Sequence, residues 1–97
     1  MPAYVLVGVE WTSQEAFDAY ARDVERTIEQ YGGRYIVATR DVDVREGRWR
    51  PPLVVVLEFE SIDAARRWYE SQEYRELRGI RQRGSDSDLI LVDGLDE

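Results

Sequence analysis

The stretch Leu53-Val54-Val55-Val56-Leu57-Glu58-Phe59 is apolar at every position but Glu58. A valine-rich run with no internal glycine or proline is a β-strand with apolar side chains on both faces. Its upstream border is Pro51-Pro52, and paired prolines cannot join a central ladder because neither has an N–H to donate. Downstream, Ser61 can cap a helix that runs through Tyr69 with Ala64, Ala65 and Trp68 facing inward. Ala3 to Trp11 is a second run of the same kind.

Between these two strands, Thr12-Ser13-Gln14-Glu15 has the form of a capping box. Phe17, Tyr20, Val24, Ile28 and Tyr31 follow at steps of three or four. They predict a helix from about Ser13 to Tyr31 with one apolar stripe. Gly32-Gly33 stops it, because glycine takes the left-handed conformation that a helix end requires. Arg34 to Val44 is predicted as a strand with a bulge near Arg40-Asp41, and Glu46 to Pro52 as a loop. Ser71 can cap a third helix carrying Tyr74, Leu77 and Ile80. Gly84-Ser85-Asp86-Ser87 is expected to turn, and Leu89 to Val92 to form the last strand before a frayed acidic end. The order β-α-β-β-α-(α)-β over a single domain, residues 1–97, predicts an α+β fold of the ferredoxin-like type. In that fold two right-handed crossovers build a four-stranded antiparallel sheet with helices on one face.

A sheet covered on one side should carry polar residues on the other. Here Val5, Val7 and Val9 oppose Tyr4 and Leu6, and Val54 and Val56 oppose Leu53, Val55 and Leu57; Ile90 opposes Leu89 and Leu91. Leaving several such side chains in water would forfeit roughly 1.5–3 kcal/mol each. The simplest cover is a second copy about a two-fold axis, so a homodimer is expected.

The 97 residues include 13 Lys plus Arg and 20 Asp plus Glu, for a net charge of −7. That field repels phosphate backbones, and no nucleic-acid partner is expected. The sequence has no Cys and no His. Thiolate nucleophiles, Ser-His-Asp catalysis and the usual zinc, haem and iron–sulfur ligand sets are thereby excluded, and no cofactor or metal is expected. No apolar run approaches the ~20 residues of a membrane span. Met1 to Trp11 has no basic region and meets Glu10 too early for a signal peptide. A cytoplasmic protein with no membrane partner is the expectation.

Several segments together resemble the domain-of-unknown-function family 1330, within the dimeric α+β barrel superfamily. They are Tyr31-Gly32-Gly33-Arg34-Tyr35, Trp49-Arg50-Pro51, Val55-Val56-Leu57-Glu58-Phe59, Ala64-Ala65-Arg66-Arg67-Trp68-Tyr69, Ser71-Gln72-Glu73-Tyr74 and Leu89-Ile90-Leu91-Val92-Asp93-Gly94. They run in family order along essentially the whole chain. The resemblance implies a ferredoxin-like dimer and no established reaction. Relatives often show Arg followed by glycines after the second strand, where this chain has Thr39-Arg40-Asp41-Val42-Asp43. The wider superfamily includes cofactor-independent monooxygenases and haem enzymes, but the His that these often use is missing here.

Glu58 is the candidate catalytic residue. It shares a face with Val54 and Val56 at period two, and a buried carboxylate must be paired, hydrogen-bonded or protonated. Arg40 and Arg81 are its expected partners. The pair is either a structural one that fixes register or assembly, or a pocket in which Glu58 is general base or anchor. Trp49, Tyr35 and Tyr69 are candidate ligand-binding residues beside Arg40 and Arg81, since amphipathic rings suit both cores and ligand walls. Trp49, between Arg48 and Arg50, either clamps its loop over the prolines or lids a cleft. Two functions follow: a cofactor-independent enzyme or small-molecule binder with a pocket near Glu58, or a structural or regulatory dimer. A cleft open beside Glu58 favours the first, and a filled interface the second.

Overall fold

Ser13, Ser61 and Ser71 each hold a side-chain oxygen 3.1 Å from the backbone nitrogen three residues on. Each satisfies one of the free donors at a helix start. They open α1 (Gln14–Gln30), α2 (Ile62–Glu70) and α3 (Gln72–Gly84). The α1 cap is thus Ser13, one residue later than the capping-box reading. The reason lies far along the chain: the N–H groups of Thr12 and Ser13 both donate to the Gly84 carbonyl, at 2.9 and 3.2 Å. That pair of hydrogen bonds fixes Thr12 in the approach to the helix. At the other end Gly32, with φ +80°, passes its N–H to the Glu29 carbonyl while Gly33 donates to Ile28. This is the glycine stop read from the sequence.

The computed structural model describes residues 1–95; the acidic end expected to fray continues into Asp96 and Glu97, which lie outside the described residues. Four strands, β1 (Ala3–Trp11), β2 (Arg34–Thr39), β3 (Leu53–Phe59) and β4 (Ser85–Asp93), form one antiparallel sheet in the order β2-β3-β1-β4. The chain has the ferredoxin-like α+β fold. Among the described residues no helix is long and apolar enough to cross a membrane.

Three expectations are corrected. β2 ends at Thr39, not Val44: Thr39 pairs with Val54, and the next positions of the partner lead into Pro52 and Pro51, which have no N–H to offer. The bulge falls between Tyr35 and Val37 rather than near Arg40-Asp41. Gly84 to Ser87 make no turn, because β1 is long enough to pair Trp11 with Ser85, Glu10 with Asp86 and Val9 with Ser87.

The odd-numbered side chains of β1 and β3 face the helices. Val5, Val7, Val9, Leu57 and Phe59 are buried against Val24, Ile28, Ala64, Trp68, Tyr74 and Leu77. No helix of the described chain covers the opposite face, which carries Tyr4, Leu6, Val54, Val56 and Ile90, with Trp49 and Pro51 lying over Gly8. Ile90 is 53% exposed there. Extents of 35 × 35 × 16 Å fit one sheet and one helix layer.

Candidate functional site

The β2 bulge decides which side chains meet. Tyr35 pairs with Leu57 and therefore faces the helices; after the extra residue Ile36, Ala38 pairs with Val55 and faces them too. Without the bulge Arg40 would fall on the opposite surface from Tyr35, since strand side chains alternate. With it, Tyr35, Ala38 and Arg40 all line one cavity of about 430 Å³ between sheet and helices. Its walls are Val7, Val9, Leu53, Val55 and Leu57 from the sheet, and Phe17, Ala21, Val24 and Ile28 from α1. Trp11, Tyr20, Trp68 and Arg81 complete it, and Glu25, exposed like Arg40, lines its rim. The volume lies in the ordinary range of small-ligand sites, about 300–1,000 Å³.

Arg81 is the unusual wall residue. It is 4% exposed, and none of the five ion pairs among the described residues includes it. Its Nε donates to the Tyr74 hydroxyl at 3.3 Å and its Nη1 to Ser87 Oγ at 2.7 Å. Tyr74 is fully buried, and its hydroxyl lies 2.6 Å from that of Tyr20. Burial works against the Arg81 charge, but the oxygens of Tyr74, Tyr20 and Tyr69 favour it, and its pKa rises. Burial, and after it Tyr74, push the Tyr20 phenol well above its ordinary value. Tyr35 is pushed up to about 12 by burial and then by Glu25. Trp68 contributes no loose polar group, because its Nε1 donates to Thr27 Oγ1 at 3.0 Å.

The sequence-predicted residues divide between two faces. Arg40, Arg81 and Tyr35 line the cavity; Glu58 does not. Glu58 stands on the open face, where its Oε1 accepts from Arg34 Nη2 at 2.7 Å and Nε at 2.9 Å. Its expected partners Arg40 and Arg81 are thus replaced by Arg34, which pairs with it directly across β2 and β3. A second, more open depression of about 330 Å³ lies beside Glu58, formed with Met1, Pro2, Arg34 and Glu60 and separate from the cavity. Trp49 also lies on the open face, against Gly8 and Pro51: a Cβ on Gly8 would come within 2.5 Å of its Cζ2. Tyr69 packs behind the cavity against Trp68 and Tyr74, with the Arg78 guanidinium 5.0 Å from its ring centre.

The Tyr20–Tyr74–Arg81–Ser87 chain was not legible as a unit in the sequence. One signal was present: Ser85 and Ser87 share the inward parity of Leu89 and Leu91, and a serine facing a core asks for a polar partner. Among the described residues no three carboxylates gather as a metal site.

A family model for a domain of unknown function, DUF1330, matches residues 2–95. The chain belongs to that family. No curated protein sequence matches it. Among solved structures it is similar to a protein of unknown function from Rhodopseudomonas palustris, at 24% identity and TM-score 0.70 over 99% of this chain and 84% of that one. A dimeric ferredoxin-like protein of unknown function from Jannaschia sp. CCS1 is 13% identical, with TM-score 0.72 over 97% of this chain and 100% of that one. SnoaB, a cofactor-independent oxygenase from Streptomyces nogalater, is 17% identical, with TM-score 0.60 over 99% of this DUF1330 chain and 93% of that one. At these identities the likeness shows the fold.

Proposed function

We propose that this DUF1330 protein is a cytoplasmic homodimer that binds a small molecule in the cavity between its sheet and its helices. The observation that carries the reading is Arg81, a buried cation without a carboxylate among the described residues, set in the wall of an otherwise largely apolar cavity. A buried charge is costly unless paired, so a purely structural arginine would be expected to have its counter-ion in the fold. The dimer rests on the bare apolar sheet face and on the dimeric state named for the Jannaschia protein.

In this reading Glu58 and Trp49 serve the assembly. Both stand on the sheet face that a second copy would cover, and neither borders the cavity. Tyr35 and Arg40 form the entrance. The test is calorimetric titration with a neutral probe of the cavity's size, 2-naphthamide, on the parent and on Ala38→Trp. Ala38 is exposed and lines the cavity, so an indole there fills the space without disturbing the core. Binding to the parent that Ala38→Trp removes is the expected result. An unchanged affinity in Ala38→Trp would move the site elsewhere.

A further inference from the structure

The direction of each hydrogen bond along the Arg81 chain follows from its chemistry. A guanidinium only donates, so the Tyr74 oxygen accepts from Arg81 Nε. Tyr74 is fully buried and the Tyr20 hydroxyl, at 2.6 Å, is its other neighbour. The Tyr74 proton therefore goes to the Tyr20 oxygen. That leaves the Tyr20 proton without an acceptor among the described residues, at a side chain that lines the cavity.

Arg81 adds to the same surplus. Its Nε and Nη1 bonds are accounted for, while Nη2 has no partner among the described residues. No buried side-chain nitrogen or oxygen of those residues is both sealed off and unpartnered. Nη2 therefore borders open space, and the open space that Arg81 lines is the cavity. One end of the cavity thus offers donors from two groups and a positive charge, against apolar walls.

We infer that the ligand is a small monocarboxylate with an apolar, ring-sized body, its carboxylate accepting from the Tyr20 hydroxyl and the Arg81 guanidinium. This rests on the cavity being the binding site. A single charge is specified because one buried cation is present, and because Glu25 offsets Arg40 among the lining residues and the net charge of −7 opposes a second anionic group. Tyr20 suits the role of donor, since burial raises its pKa and keeps the proton in place through the neutral range.

The test compares 2-naphthoate with 2-naphthamide, which has the same shape and no charge, by calorimetry on the full chain. The acid should bind about ten- to a hundredfold more tightly, as expected for hydrogen bonds to an ionised group. Tyr20→Phe should lower the affinity for the acid by about tenfold, with 2-naphthamide still bound as a sign that the cavity is intact. Arg81→Gln, if it folds, should abolish the preference for the acid; Tyr20→Phe keeps the test open if it does not. Equal affinity for acid and amide would overturn the carboxylate while leaving the cavity reading standing. Failure of both molecules to bind would overturn both.

Discussion

The hydroxyls of Tyr20 and Tyr74, 54 positions apart in the sequence, meet at 2.6 Å and join α1 to α3 over the buried guanidinium of Arg81. The contact links packing to chemistry: it joins two helices and holds the Tyr20 hydroxyl at the cavity.

Tyr74→Phe removes the middle of this chain and leaves Arg81 Nε and the Tyr20 hydroxyl without their partner. A stability loss of about 1–3 kcal/mol is expected, the range for stranding a buried polar group. Tyr20→Phe should cost less, because it strands one group, the buried Tyr74 hydroxyl, where Tyr74→Phe strands two. Urea unfolding of both variants checks the order; a Tyr74→Phe protein as stable as the parent would show that the chain holds nothing together.

Alkaline pH should weaken the fold. Tyr20 and Tyr35 both titrate higher in the folded chain than in the unfolded one, so folding favours their protonated forms. Both contributions are whole below the ordinary phenol value of 10.0; that of Tyr35 is lost as pH rises toward about 12, and that of Tyr20 as pH rises through its own raised value. Thermal unfolding followed across that window should show falling stability, and Tyr35→Phe should flatten the fall. A melting temperature that is level over the window would contradict the burial of both phenols.

Light scattering should give twice the 11.4 kDa chain mass down to low micromolar concentration. Val56→Arg places a charge in the middle of the uncovered face, opposite Leu6, and should return the mass to that of one chain. An interface of on the order of 1,200–2,000 Å² could not absorb two such charges at its centre. A parent that stays at 11.4 kDa would remove the dimer and the role given to this face.

Gly8→Ala tests the seat of Trp49. The added methyl would occupy the space of the indole, whose Cζ2 lies 2.5 Å from the ideal Cβ position. Trp49 is 56% exposed, so the loop can swing away. The expected result is a red shift of tryptophan emission with little loss of stability, within about 1 kcal/mol. An unshifted spectrum would place the indole off Gly8.

The sequence by itself determined the order of elements, the Gly32-Gly33 stop, the Pro51-Pro52 border and the presence of two apolar sheet faces. Each is local: a glycine with positive φ, a missing N–H, a period of two. It also marked Glu58 as a charge out of place in apolar surroundings, with Arg40 and Arg81 as its expected partners. Which face the helices cover was decided only by the tertiary structure. Alternation separates odd from even positions, but with valine and leucine on both, hydrophobicity does not distinguish inside from outside. That choice sent Glu58 to the open face and Arg81 to the cavity, and the one-residue bulge after Tyr35 then brought Arg40 to the same side. Arg34 was not foreseen as the partner of Glu58 because β2 and β3 are joined by a long loop, and no short turn fixes their register. The Tyr20–Tyr74–Arg81 chain was hidden for a related reason: helical spacing shows that both tyrosines face inward, but only the packing of α1 on α3 brings their hydroxyls together.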